Sequence, residues 1–213
     1  MDETNQSKPR PGRPPGSSAE TTRARIVEAA RGCFGAKGFG ATTNKDIATA
    51  AGLTAAAIYR YYDSKLDLYM ATVLGALEEL EPVLRAAAVG QSSGRAELVA
   101  VARAAGRLHA ERPYLAAFLS SLPVEMQRNP EIAEAMDTGP DPVSALVASA
   151  FDRAERAGEL APGVRVEHAV AMVIACNIGL SLWGAAIQQE PSSDAMEAFA
   201  LLLSGAVFAA GPG

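Results

Sequence analysis

Apolar residues recur at three- and four-residue spacing along most of the 213-residue chain, the repeat of helix faces. The strict alternation of a half-buried strand is absent. Ile26, Ala29, Ala30, Cys33 and Phe34 form one such stripe, predicting a first helix over Ala19 to Ala36. Gly38 closes it and Phe39 packs back beneath the next elements. Leu66, Tyr69, Met70, Val73, Leu77 and Leu80 mark a long helix from about Ser64 to Ala88. Breaks at Gly90–Gly94, Arg112-Pro113, Asn129-Pro130, Gly139–Pro142, Ala161–Gly163 and Pro191–Ser193 then separate helical segments near 95–111, 114–127, 130–137, 142–158, 166–189 and 192–210. With two short helices between the first and the long one, the fold class is all-α, about ten helices, with no internal repeat.

Those two short helices lie in Thr43 to Lys65, TNKDIATAAGLTAAAIYRYYDSK. Thr43 is an N-cap candidate, and Asp46 stands three residues on, where its carboxylate can reach back as in a capping box. Ile47, Ala51, Leu53, Ile58 and Tyr61 are the inward positions, and Ala48 is small where two helices cross closely. Gly52 can take the positive φ of a tight helix end. Thr54 caps a second helix, Ala55 to Tyr62, with Thr, Ala, Tyr and Arg on its open side. Asp63-Ser64 stops it, and one of the two caps the long helix that follows. This register predicts a helix-turn-helix, the unit that lays its second helix in the DNA major groove; the plainer reading is a helical hairpin in a core.

With 49% of residues hydrophobic and only 20% charged a sizeable core can be buried, and abundant alanine with 6% aromatics favours helix. Charge is unevenly placed. Residues 1–65 carry ten Lys+Arg against six Asp+Glu, whereas the remainder carries nine against eighteen, and every lysine lies at or before Lys65. A basic head on an acidic body orients the approach of a polyanion. Cys33 and Cys176 are far apart within apolar patterns and are read as free thiols of a reducing cytoplasm. His109 and His168 have no ligand spacing with either, so no metal and no cofactor is expected. The first 25 residues are polar and proline-rich, unlike a signal peptide. Ala169 to Ile187 holds no charged residue, approaching the length of a membrane span. Its Ala and Gly content, Asn177, Ser181 and the lack of a basic flank favour a helix buried on all sides in a protein assembly, with no membrane contact.

Residues 1–18 are Pro/Gly/Ser-rich and read as a disordered basic arm. Arg10-Pro11-Gly12-Arg13-Pro14 resembles the Arg-Gly-Arg-Pro core of AT-hooks, so Arg10 and Arg13 are candidates for a narrow minor groove; the alternative is a plain flexible leader.

Residues Arg25–Met70 resemble the tetracycline-repressor (TetR) family of bacterial transcriptional regulators. The resemblance rests on IVEAARGCFGAKGF, then ATTNKDIATAAGL, then TAAAIYRYYDSKLDLY. Beyond Met70 only the layout is similar, including Gly158–Gly163 before two long apolar helices. Asn44 departs from the family, where the slot is often aliphatic, and is read as exposed. The resemblance implies domains at 19–63 for DNA binding and 64–213 for effector binding and dimerisation. It puts reading residues at Thr43, Asn44, Lys45, Thr54, Ala55, Ala56, Tyr59, Arg60 and Tyr61. Lys65, at the start of the long helix, joins them as a phosphate ligand. Tyr61 and Tyr62 are the weakest assignments, since one of them should pack inward.

One such head reads only a few base pairs, so a homodimer on a palindromic operator is implied. The nearly all-apolar helices 166–189 and 192–210 supply its seam, with Gly179, Gly184 and Gly205 allowing close approach. The resemblance also implies an effector pocket in the body, which an apolar lining would suit to a hydrophobic small molecule. Candidate lining residues are Leu108, Tyr114, Phe118, Leu122, Met126, Phe151, Met172, Cys176, Asn177 and Trp183, each of which could equally be ordinary core. His109 and Arg112 could polarise one end of it. The function expected is a cytoplasmic repressor released from DNA by ligand, the long helix being the lever. Activation is open, as is a ligand-independent architectural DNA-binding protein. No catalytic constellation is recognisable, so an enzyme is not expected.

Overall fold

The computed structural model describes residues 19–136, 142–187 and 193–206. Within them the chain forms ten α-helices: α1 (Ala19–Ala41), α2 (Asn44–Ala50), α3 (Ala55–Ile58), α4 (Lys65–Ala88), α5 (Gly94–Glu111), α6 (Pro113–Arg128), α7 (Pro130–Met136), α8 (Pro142–Arg156), α9 (Val166–Ile187) and α10 (Ser193–Ala206). The all-α reading holds. Arg10 and Arg13 in the arm lie outside the described residues.

Two apolar clusters organise the molecule. The first joins α1, α2, α3 and the first half of α4 to α6 and α7, through Ile26, Phe34, Ile47, Ile58, Tyr69, Phe118 and Ile132. The second joins the far end of α4 to α5, α8, α9 and α10, through Leu84, Leu98, Phe151, Val173 and Met196. Two glycines on α5 set how closely its neighbours approach. A Cβ at Gly94 would lie 2.4 Å from the Ala150 carbonyl oxygen, and one at Gly106 would lie 2.8 Å from Met196 Cβ. Larger residues at either site would push α8 or α10 outward.

Several expectations need correction. Gly38 does break α1, at φ 76° and ψ 170°, but helical backbone resumes and carries the segment to Ala41. The second short helix does not reach Tyr62. Tyr59 N–H meets Ala55 O only at 3.5 Å, and from there the bonding tightens to i−3 partners, Arg60 to Ala57 and Tyr61 to Ile58. Tyr62 packs inward, 5% exposed, with its N–H on Ile58 O at 3.1 Å, and Tyr61 is half-buried, reversing the expected choice. On α4 the buried face is Leu68, Tyr69, Thr72, Val73 and Ala76; Leu66, Met70, Leu77 and Leu80 sit half-buried on its flanks. The burial expected of α9 is in an assembly, and within one chain much of the helix is open. It is long and apolar enough to cross a membrane, with mean hydropathy 1.5 over Val166–Trp183, yet only 17% of that stretch is buried.

Candidate DNA-binding head and body cavity

The head is assembled by local caps. Thr43 accepts from Asp46 N–H while the Asp46 carboxylate accepts from the Thr43 N–H at 3.0 Å and from its hydroxyl at 2.7 Å. Thr54 Oγ1 accepts from Ala57 N–H, and Ser64 Oγ from Asp67 N–H. Gly52 takes φ 64°, turning the chain between α2 and α3. The Arg25 guanidinium reaches across from α1 and donates to the Ala51 carbonyl at 2.6 Å, pinning the turn to the first helix.

The Thr43 hydrogen bonds, with a smaller contribution from Lys37, hold the Asp46 carboxyl down from its ordinary 3.8 to about 2. A lowered folded pKa means that the stabilisation is complete above pH 3.8 and is lost as pH falls through about 2. Urea unfolding of the parent against Asp46→Asn should therefore show a parent advantage that is full at neutral pH and vanishes across that acid window.

The open side of the head carries most of the residues expected to read DNA. Thr43, Lys45, Thr54, Ala56, Tyr59 and Arg60 are exposed, Tyr59 by 58%, and Ala55 and Tyr61 are half-buried. Two expected contacts stand differently. Asn44 is half-buried, not exposed, and its Oδ1 is shut from solvent without a hydrogen-bond partner. Lys65 turns its ammonium away from the outer face. It donates to Phe39 O at 2.9 Å and Thr42 O at 3.2 Å, and lies 4.3 Å from the centroid of the Phe39 ring. With its N–H groups engaged by the carbonyls that α1 and its exit leave open, this lysine positions the head and is not presented to a phosphate.

Below the head, α6 meets α1. Phe118 closes an aromatic cluster in which Tyr69 lies 4.9 Å from Phe34, 5.1 Å from Phe39 and 5.7 Å from Phe118, all edge-on. Burial, and secondarily the Glu125 charge, push the Tyr69 phenol up, and its hydroxyl has no hydrogen-bond partner. Glu125 is itself buried against the α1 break: a Cβ at Gly38 would lie 2.6 Å from its Oε1. Asn129 Nδ2 donates to the other carboxylate oxygen at 2.9 Å. A second link is ionic. Glu79 on α4 pairs with Arg31 of α1 at 2.6 Å and with Arg112, where α5 gives way to α6, at 2.9 Å. Arg112 therefore serves this clamp. None of these long-range partners was legible in sequence, although the unusual glycine at Gly38 marked the place.

An adjoining face of α6 borders a cavity of about 490 Å³ between α4, α5, α7, α8, α9 and α10. Of the ten residues expected to line it, Leu108, Leu122, Met126 and Asn177 do. The other six do not. Phe118 belongs to the head junction and Phe151 to the body core; Cys176 packs at the edge of that core. Tyr114 (82% exposed), Trp183 (66%) and Met172 (40%) face outward. His109 is on the wall, with the Ser181 hydroxyl 2.9 Å from its Nε2. Burial pushes its pKa below the ordinary value of 6.5, so the ring is neutral at pH 7.

A third surface is apolar and uncovered. Leu182, Trp183, Leu201 and Leu202, on α9 and α10, are 38–66% exposed. Gly179 and Gly205 are open, with nothing among the described residues within 4 Å of an added Cβ. The side chains at Gly184 and Ile187 fall outside the described residues.

Comparison with known proteins settles the family. Residues 26–72 match the family described as "Bacterial regulatory proteins, tetR family", and residues 90–199, more than half the chain, match "Tetracyclin repressor-like, C-terminal domain". The chain belongs to the TetR family. It is accordingly a DNA-binding transcriptional regulator, a class that is not enzymatic. Among curated relatives, the HTH-type transcriptional regulator TtgR of Pseudomonas putida is 44% identical over 61 residues, spanning 29% of each protein. The TetR-family match in solved structures extends through the body. A TetR family transcription regulator from Marinobacter aquaeolei VT8 superposes with TM-score 0.71 at 22% identity, covering 89% of this chain and 97% of that one. FadR from Bacillus subtilis, solved in complex with stearoyl-CoA, gives TM-score 0.71 at 17% identity over 86% of this chain and 98% of its own. At these identities the likeness to solved structures is one of fold.

Proposed function

We propose that this TetR-family regulator is a homodimeric repressor that leaves a palindromic operator when a hydrophobic small molecule occupies the body cavity. The observation that carries the reading is the double role of α6. Leu119, Ser120, Leu122 and Met126 border the cavity, while Phe118 and Glu125 seat the head. A ligand that shifts α6 must also shift the platform on which α1 rests. That makes α6, together with the α4 lever, the coupling element. Release then requires that the ligand bind more tightly to the body conformation whose heads mismatch the groove spacing. The structural neighbour FadR, with its bound stearoyl-CoA, is consistent with a ligand-holding body. A ligand-independent architectural protein would have no use for such a cavity.

The DNA contacts proposed are Thr43, Lys45, Thr54, Ala55, Ala56, Tyr59, Arg60 and Tyr61, with Arg10 and Arg13 of the arm reaching the minor groove. Residues 19–63 thus form the reading unit and 64–213 the effector and dimer unit. This division is one of function, because the apolar cluster continues across position 63. The dimer seam is the exposed apolar face of α9 and α10, which pairing would remove from water.

Anisotropy titration of the protein against a genomic fragment bearing an inverted repeat, at fixed salt, tests the reading. Arg60→Ala should cost about 1–3 kcal/mol and relax preference at one position, if its guanidinium reads a guanine. Tyr59→Ala should weaken all sequences alike and leave the melting temperature unchanged, because the side chain is mostly exposed. A protein that sediments as a monomer and binds no such fragment would refute the proposal.

A further inference from the structure

From the chemistry of the cavity wall we infer that the ligand is an uncharged lipophile carrying one hydroxyl or carbonyl group, held by Asn177 and His109, and not a fatty carboxylate or an aliphatic amine. The inference rests on the proposal that this cavity is the effector site, and deepens it by naming the ligand class.

Among the described residues that line the cavity there is no Asp, Glu, Lys or Arg. The polar groups on the wall are Asn177, His109, Ser120 and Ser144, and the rest is Leu, Val, Ala, Ile, Met, Pro and Phe. This is unusual for a chain in which a fifth of all residues are charged. Four arginines of the body and its junction are already paired, Arg112 and Arg31 with Glu79, Arg153 with Glu97 and Arg103 with Glu197. Among the described lining residues, a carboxylate entering the cavity would leave water with no cation to meet it, and an ammonium would find no anion. Neither exchange is favourable. Burial also keeps the His109 imidazole neutral, so it offers no positive charge.

A hydroxyl or carbonyl loses far less on leaving water and recovers it with one hydrogen bond. Asn177, half-buried on α9, carries both a donor and an acceptor on its amide. The Ser181 hydroxyl lies 3.2 Å from His109 Nδ1 and 2.9 Å from Nε2, so it can engage either ring nitrogen but satisfies only one at a time, with donor and acceptor roles set by the tautomer. The volume of about 490 Å³ lies within the range of roughly 300–1,000 Å³ typical of small-molecule sites. An apolar chain with one polar end matches this wall: the end between α5 and α9, the chain against Leu80, Leu119 and Val147.

Calorimetric titration of the purified full chain at neutral pH with 1-decanol, decanoate and decylamine tests the ligand class without reference to DNA. Decanol is expected to bind and to raise the melting temperature, and decanoate and decylamine to bind at least about tenfold more weakly. Asn177→Leu should weaken decanol about tenfold, and Asn177→Lys should invert the preference, admitting decanoate. Melting curves of both variants verify folding. Decanoate or decylamine binding the parent as tightly as decanol overturns the inference, as does failure of all three to bind. Decanol binding that leaves the DNA affinity untouched would instead preserve the ligand class and refute the repressor reading.

Discussion

Phe118→Ala should destabilise the protein by about 3–5 kcal/mol, the usual cost of truncating a fully buried phenylalanine. The ring is 1% exposed, and its Cβ lies 3.9 Å from where a Cβ at Gly35 of α1 would stand. Tyr69, 5.7 Å away edge-on, would lose one side of its aromatic cluster. Against a total stability of about 5–15 kcal/mol this is a large fraction, and the melting temperature should fall by about 10 °C or more. Phe118 does not line the cavity, so ligand affinity should survive in the folded fraction, whereas the effect of ligand on DNA affinity should shrink. Thermal unfolding and ligand-dependent DNA titration read the two consequences separately. A loss of under about 1 kcal/mol would mean that α6 does not seat the head as described.

Lys65→Ala should cost about 2–3 kcal/mol in the head, the scale of losing charge-assisted hydrogen bonds at a partly buried site. Its ammonium gathers the Phe39 and Thr42 carbonyls and covers the Phe39 ring. DNA affinity should fall with it, because the end of α1 sets where α2 begins. Lys65→Arg should rescue little: a planar fork cannot meet the same converging carbonyls that a compact three-donor ammonium does. The sequence pattern alone suggested a phosphate ligand, whose removal would weaken DNA binding without touching stability. Urea unfolding of Lys65→Ala beside Tyr59→Ala separates the two roles, and an unchanged midpoint for the lysine variant would restore the phosphate reading.

These two residues show where sequence reasoning stops. Lys65 stands at the right register position of a short motif, and its neighbours along the chain give no sign that carbonyls 23 and 26 residues earlier will claim it. Phe118 looked like a pocket residue because an aromatic in an apolar helix fits a cavity and a core equally well. Which side of α6 faces α1 depends on how four helices stack, and nothing local records that. The same limit moved Trp183, Met172 and Tyr114 to the outside. The choice between Tyr61 and Tyr62 was settled by packing, Tyr62 joining the buried head cluster and Tyr61 lying at its edge.

What the amino-acid order determined unaided was the helical class, the element boundaries to within a few residues and the capped, glycine-turned architecture of the head. Those features depend on hydrogen bonds and φ angles spanning three or four residues, so spacing encodes them directly. Tertiary packing decided the uncharged cavity, the Glu79 clamp, the seating of Glu125 on Gly38 and the side of α6 that carries Phe118. Each of these joins side chains far apart in the chain, and their energies exist only once separate helices have buried their faces against one another.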